Sequence, residues 1–247
     1  MQLHIFPIVV LSLISSHSFA DCSAPAAPKV NWEFCDKQSV NLSGADLRDS
    51  VLKKANLSNA NLENSRLSDA DLGFTKMENA NLNRIKAKNS RFVSAHLEKA
   101  SINNAHLPNS EFSRANLSHS SFIQSNLSNS NFYNVNFQNA DISDSDFSNT
   151  KLEQSNMTKI RAKNTNFSNA ILNKANLESG DFSGANFSKA KLSGALLNDA
   201  NFSNADLQGA DLQSAEIVNT DFTGAKLGNV IWPNHKRCRP GSIGVCQ

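Results

Sequence analysis

Six histidines, four cysteines and abundant serine are the residues with which this 247-residue chain could do chemistry. The histidines are His4, His17, His96, His106, His119 and His235; the cysteines are Cys22, Cys35, Cys238 and Cys246. A metal centre needs several imidazole, thiolate or carboxylate donors converging on one point. A hydrolytic nucleophile needs serine or cysteine beside a base that a third group orients. Whether any of these groups meet depends on the elements that carry them.

Composition narrows the field first. The chain has 24 Lys+Arg against 22 Asp+Glu, a formal net charge of +2. That balance opposes both a strongly basic nucleic-acid binder and a strongly acidic nucleic-acid mimic. Apolar residues make up 39% and aromatics 7%, with 15 Phe and one Tyr. This is a lean supply for an ordinary globular core. Asn and Ser are abundant but evenly spread, which points to a repeat rather than a disordered tail.

The N-terminus reads as an export signal over residues 1–20. Ile5 to Ile14 is mostly apolar, Ser18-Phe19-Ala20 is a small-x-small cleavage site, and no charged side chain precedes Asp21. The apolar run is too short to span a bilayer, so the mature chain is expected to carry no transmembrane segment. Asp21 is the wrong neighbour for lipidation of Cys22. An even cysteine count in an exported chain points to disulfides.

Nearly every fifth residue from Leu42 is large and apolar: Leu47, Leu52, Leu57, Leu62, Leu67, Leu72, Met77 and Leu82, and so on to Leu227 and Trp232. Two residues before each stands a small one, such as Ala45, Ser50, Ala55 or Ala60. A separation of two is strand alternation, so the small and large residues point inward together. Five steps of a helix would rotate the face away. Two residues after the large position, Gly44, Asn59, Asn64, Asn79, Gly184 and Gly194 suit the positive φ of a type II turn. Pro108 falls on the first central residue of such a turn.

The phenylalanines set the number of sides. Phe92, Phe112 and Phe132 are spaced by twenty, as are Phe147, Phe167 and Phe187, and Phe182, Phe202 and Phe222. Like stacks on like in solenoids, so one coil has four sides and twenty residues. About ten coils at ~4.8 Å make a rod of roughly 50 Å. Its ends are too far apart for a disulfide, which predicts the local pairs Cys22–Cys35 and Cys238–Cys246. Ala87 and Ala162 break the large position, but Ile85 and Ile160 occupy the preceding small one. Volume is exchanged between the two inward sites, as close packing requires. The similar surroundings of these two exceptions suggest an internal duplication of fifteen pentapeptides.

The pattern Ala-(Asn/Asp)-Leu-x-x, as in Ala55-Asn56-Leu57-Ser58-Asn59 and Ala205-Asp206-Leu207-Gln208-Gly209, resembles the pentapeptide-repeat proteins. The resemblance covers about four-fifths of the chain. It implies an all-β fold, the right-handed quadrilateral β-helix, here with disulfide-bearing terminal caps. The flanks, Val30-Asn31-Trp32-Glu33-Phe34-Cys35 and Cys238 to Cys246, resemble those of exported bacterial members. The expected division is a signal over 1–20, an N-terminal cap over 21–41, the β-helix over 42–232 and a C-terminal cap over 233–247. Trp32 and Trp232 are placed to lid the two core ends. Lys37, on a large position, marks an imperfect first coil.

On a four-sided coil, His96 and His106 point from opposite faces and cannot share a metal. No Ser–His–acid arrangement is suggested, and the faces are flat rather than cleft. The expectation is no catalytic residue, no metal and no cofactor. Asp71, Arg91 and Glu111 stack by twenties and should pair across coils, as should Lys191 and Asp211. Arg84, Lys86, Lys88 and Arg91 form a local basic run; Asp199, Asp206, Asp211, Glu216 and Asp221 form an acidic one. Phe74, Val93 and Tyr133 occupy turn positions that superpose on one corner, with Arg91 and Arg114 beside them. Exposed aromatics with arginine are typical of partner-binding surfaces, so this corner is the candidate site. The reading is an exported, non-catalytic structural or interaction solenoid, periplasmic or secreted. Its partner would be a protein or cell-surface component and not nucleic acid. Some pentapeptide-repeat members protect type II topoisomerases by mimicking DNA, but that role wants an acidic, cytosolic rod. Ice binding wants a ranked array usually rich in Thr, which is sparse here.

Overall fold

The computed structural model describes residues 20–247. The expected export signal therefore lies outside the described residues except for Ala20. From Asn31 onward the chain winds in a coil of four short sides. Each residue that precedes a large inward position bridges, in parallel, to the residue twenty places later. The ladder begins at Asn31↔Val51 and Asp36↔Asn56 and ends at Asp211↔Ile231. Ten coil steps separate Asn31 from Ile231, a rise of about 48 Å at one strand spacing per coil.

Backbone donors explain why the five-residue unit closes on itself. The large residue donates to the coil above, as in Leu57 N–H to Lys76 C=O at 2.6 Å. The bridging residue donates to the coil below, as in Asn56 N–H to Cys35 C=O at 2.9 Å. The positive-φ residue also donates upward, as in Asn59 N–H to Glu78 C=O at 2.9 Å, and the small residue closes the turn, as in Ala60 N–H to Leu57 C=O at 3.0 Å. The fifth donor belongs to the first turn residue, and a side chain takes it: Ser58 N–H donates to Asn56 Oδ1 at 3.2 Å. The same contact recurs at Glu63 with Asn61, Ser148 with Asp146 and Ser203 with Asn201. Asn and Asp before the large residue are thus turn caps that satisfy the one N–H the ladder leaves over.

The core is a column of fully buried Leu, Phe, Met and Ile with Ala, Ser or Thr between them. Phe92, Phe112 and Phe132 stack with ring centroids 4.6 and 4.9 Å apart. Phe182 and Phe202 stack at 4.9 Å, and Phe167 and Phe187 at 4.7 Å. Ile85 with Ala87 and Ile160 with Ala162 are all buried, so the exchanged volume faces the core in both places.

Each end is closed differently. At the N-terminus Cys22 joins Cys35, with Cα atoms 5.4 Å apart. Trp32 is 2% exposed, and its indole N–H donates to Ala24 C=O at 3.2 Å. Lys37 does not disturb the coil: its N–H makes the regular bond to Asn56 C=O at 2.7 Å. Its side chain bends over the open end, with Nζ 4.2 Å from the Trp32 ring centroid and donating to Cys22 C=O at 2.8 Å. The regular coil thus reaches eleven residues nearer the N-terminus than the expected start at Leu42. At the C-terminus the chain reverses, and Ile231↔Arg237 and Lys226↔Ile243 pair antiparallel on the last coil. That return strand covers edge groups that would otherwise invite pairing with another chain. Cys238 joins Cys246, with Cα atoms 4.9 Å apart, and the partly buried Trp232 packs on Phe222 at 5.3 Å.

Candidate functional site

One corner of the coil departs from the Asn and Ser of the others. Its turns are tied together coil to coil. Phe34 N–H donates to Lys53 C=O at 3.1 Å, Lys54 to Gly73 at 2.8 Å, Phe74 to Val93 at 2.9 Å and Arg114 to Tyr133 at 2.9 Å. The residues expected to share a corner, Phe74, Val93, Arg114 and Tyr133, therefore do share it. Phe74 is 49% exposed and Tyr133 42%, while Val93 is partly buried. Arg91, on the adjoining side, joins Val93, Glu111, Ser113, Arg114 and Asn131 around a shallow hollow of about 440 Å³.

Two residues on this corner were missed from sequence. Phe34 is 66% exposed, and Lys54 lies with Nζ 4.6 Å from its ring centroid. Counting back by twenties from Phe74 gives Lys54 and Phe34; Phe34 falls in the segment assigned to the N-terminal cap, and Lys54 is not apolar. The stripe from Phe34 to Tyr133 spans five coils, about 24 Å.

This corner shares the left-handed turn of the other three. Phe34, Phe74 and Arg114 have φ of 61°, 58° and 60°. The backbone demands this left-handed turn at every corner, and Asn or Gly meets it most easily. A bulky residue there costs about 1–2 kcal/mol.

The charges around the hollow are also unlike the expectation. Asp71, Arg91 and Glu111 bridge in sequence along one face, yet the described residues show no ion pair among them. Asp71 Oδ1 accepts the Gly73 N–H at 3.0 Å. Glu111 accepts from Ser113 N–H at 3.1 Å and from Asn131 Nδ2 at 3.0 Å. Capping alone does not exclude a cross-coil pair, since Asp141 accepts the Ser143 N–H through Oδ1 and still meets Arg161 through Oδ2; at Glu111 both oxygens are already taken, and a solvated pair adds little. Among the described residues the guanidinium groups of Arg91 and Arg114 have no partner. Lys191 and Asp211 likewise bridge without an ion pair, whereas Arg161 meets Asp141 at 3.4 Å and Lys226 meets Asp206 at 3.6 Å.

The two charge runs do not become patches. Arg84, Lys86, Lys88 and Arg91 wind around more than one corner, so Lys86 and Arg91 bridge on successive sides. Arg84 is also paired with Glu63 at 2.8 Å. Asp206, Asp211, Glu216 and Asp221 fall on four different sides. Several carboxyls are held below the usual range by the turn contacts. A side-chain hydrogen bond from Arg48 does this for Asp46, and bonds from Thr223 do it for Asp221. At Asp181 burial pushes upward, but bonds from Ser183 and Lys163 outweigh it and the carboxyl titrates low.

His96 and His106 stand on opposite sides. Among the described residues one set of side chains has donors close enough for a metal: Glu78, His96 and Glu98. No helix of the described residues is long and apolar enough to cross a membrane.

The family profile described as "Pentapeptide repeats" matches residues 38–69, 65–104, 110–149 and 185–229, and that of a "Pentapeptide repeat region" matches 130–201. This chain belongs to the pentapeptide-repeat family. Its coil is the right-handed quadrilateral β-helix of that family. Among solved structures, this pentapeptide-repeat protein is similar to HetL of the cyanobacterium Nostoc sp. strain PCC 7120, a protein involved in heterocyst differentiation regulation. The identity is 25% and the TM-score 0.70, over 81% of this chain and 92% of HetL. QnrB1, a plasmid-mediated fluoroquinolone resistance protein, matches at 19% identity and a TM-score of 0.41, over 81% of this chain and 88% of that one. A pentapeptide repeat protein of the Arabidopsis thaliana thylakoid lumen matches at 31% identity and a TM-score of 0.24, over 36% of this chain and 66% of that one. No curated protein matches this pentapeptide-repeat chain.

Proposed function

We propose that this pentapeptide-repeat protein is an exported, non-catalytic rod that presents one corner to a protein or cell-surface partner. The observation that carries the reading is the stripe of Phe34, Phe74, Val93 and Tyr133 flanked by the unpaired Arg91 and Arg114. Solvated guanidinium groups next to exposed rings favour a partner segment that offers carboxylates and an apolar side chain. Export is supported by the uncharged apolar N-terminus and by four cysteines that are all paired. Such bridges form and persist in an oxidising compartment.

Site-specific photocrosslinking in the native cell tests the reading. A photoreactive phenylalanine at Phe74 or Tyr133 should give one crosslinked species in the exported fraction. The same probe at Asn104 or Asn164, on the opposite corner, should not. Equal yields from both corners would dismiss the stripe as a site. Recovery of the protein only from the cytosol would dismiss export.

A further inference from the structure

We propose that Glu78, His96 and Glu98 form a binding site for one divalent cation of the zinc class, at the far end of the side that leads away from the partner stripe's corner. The coil sets the register. Glu78 and Glu98 are twenty apart and occupy the same turn position in successive coils. His96 lies two residues before Glu98, and its backbone bridges Lys76 below and Asn116 above. One donor atom from each of Glu78, His96 and Glu98 lies within 4.8 Å of the other two. His96 Nδ1 and Glu98 Oε1 are 3.3 Å apart. Two donors at zinc–ligand lengths around a tetrahedral ion stand about 3.3 Å from each other.

The surrounding groups hold these donors in place. Ser58 Oγ donates to Glu78 Oε2 at 2.6 Å, and Asn116 Nδ2 donates to Glu98 Oε1 at 2.5 Å. Outer-shell bonds of this kind orient ligating carboxylates in metal sites. Among the described residues no lysine or arginine pairs with either carboxylate, and the one basic group beside Glu98 is the His96 ring itself. Lys76, the nearest by register, forms no ion pair with either glutamate among the described residues, which leaves two like charges one coil apart. Glu98 Oε2 is buried and has no hydrogen-bond partner. Glu153 Oε2 is orphaned in the same way but belongs to no set of three donors. The convergence, not the lone acid, singles out Glu98.

The donor set selects the ion. One imidazole nitrogen with two carboxylate oxygens suits zinc and its neighbours, with a remaining position for water. Calcium takes about six to eight oxygen ligands, which this flat surface does not offer. His96 is 54% exposed at its side chain, so an ion enters directly from solvent. The backbone is already fixed by the ladder, and binding need only close side chains.

The test uses the mature full chain without a polyhistidine tag. Zn²⁺ is titrated against a chromophoric chelator, and Co²⁺ substitution reports ligand geometry by its visible absorption. One equivalent should bind. His96→Asn and Glu98→Gln should each weaken binding at least about tenfold, the minimum that loss of even an outer-shell partner costs. His106→Asn, on the opposite side, should bind as the parent does. Unchanged melting temperatures will show that the loss is not unfolding, and Glu78→Gln provides a second ligand variant if one melts early. Absence of binding up to millimolar Zn²⁺, binding indifferent to these substitutions, or Ca²⁺ binding as tight as Zn²⁺ would each overturn the site.

Discussion

Ser65 and Ser125 occupy the same inward position of coils three turns apart, and substitution by alanine should affect them in opposite directions. Ser125 Oγ inserts into the turn of the coil before it. It donates to Ile102 C=O at 2.7 Å and accepts from Ala105 N–H at 3.0 Å, groups that elsewhere bond each other. Ser125→Ala leaves both unpaired in the interior, at about 1–3 kcal/mol for each buried orphan. The turn can shut again as at Ala55 N–H to Leu52 C=O, 3.0 Å, so part of that cost returns. A net loss of about 1–2 kcal/mol is expected. Ser65 Oγ is buried without any partner. Ser65→Ala removes an unsatisfied hydroxyl and should be neutral or stabilising, by up to about 1–3 kcal/mol. Native-state hydrogen exchange reads the difference locally. The Ala105 amide should exchange roughly tenfold faster in Ser125→Ala, since ~1.4 kcal/mol is a factor of ten. Urea midpoints should order the variants as Ser65→Ala at or above the parent and Ser125→Ala below it. If Ser65→Ala loses as much as Ser125→Ala, the inserted hydroxyl is not what holds the turn.

Ile85→Ala should open a cavity beside Ala87 and cost roughly 2–5 kcal/mol, and adding Ala87→Leu should restore much of it. A double variant no more stable in urea than the single one would refute the volume exchange. Reduction of Cys22–Cys35 and Cys238–Cys246 should accelerate exchange in the first and last coils only, because terminal coils lack a neighbour; uniform acceleration would contradict this. Asp181 titrates below its unfolded value, so its contribution is present above the ordinary carboxylate range and is lost as pH falls through the folded value. The stability gap between the parent and Asp181→Asn should therefore shrink on acidification, and a gap independent of pH would remove the carboxylate's role.

Much of this molecule was legible because its period is short. The large residue every fifth place and the small one two before it gave strand, turn and inward face. Phenylalanines twenty apart gave the four sides, and ring stacking at Phe92, Phe112 and Phe132 is their physical expression. The corner holding Phe74, Val93, Arg114 and Tyr133 followed from the same count. Phe34 was not counted with that corner because residues 21–41 were assigned to the cap, whereas Lys37 keeps its backbone in register and turns its side chain over the end.

The sequence by itself determined everything that repeats: the inward and outward residues, the coil length, and the local pairing of cysteines at either end of a rod. These depend on backbone alternation and on distance along one axis, both of which a linear pattern encodes. Tertiary structure alone decided which outward groups bond. Each outward side chain has rivals two residues along its own turn and eighteen to twenty-one residues away in the adjoining coils. Glu111 gives its oxygens to Ser113 and Asn131 and leaves Arg91 free, although both lie one coil apart on the same side. Glu78, His96 and Glu98 converge by the same geometry. Asp141, Asp181 and Asp206 cap a turn with one oxygen and meet a cation with the other, whereas Glu111 has both oxygens taken, and which outcome a carboxylate reaches is settled only once the coils are stacked.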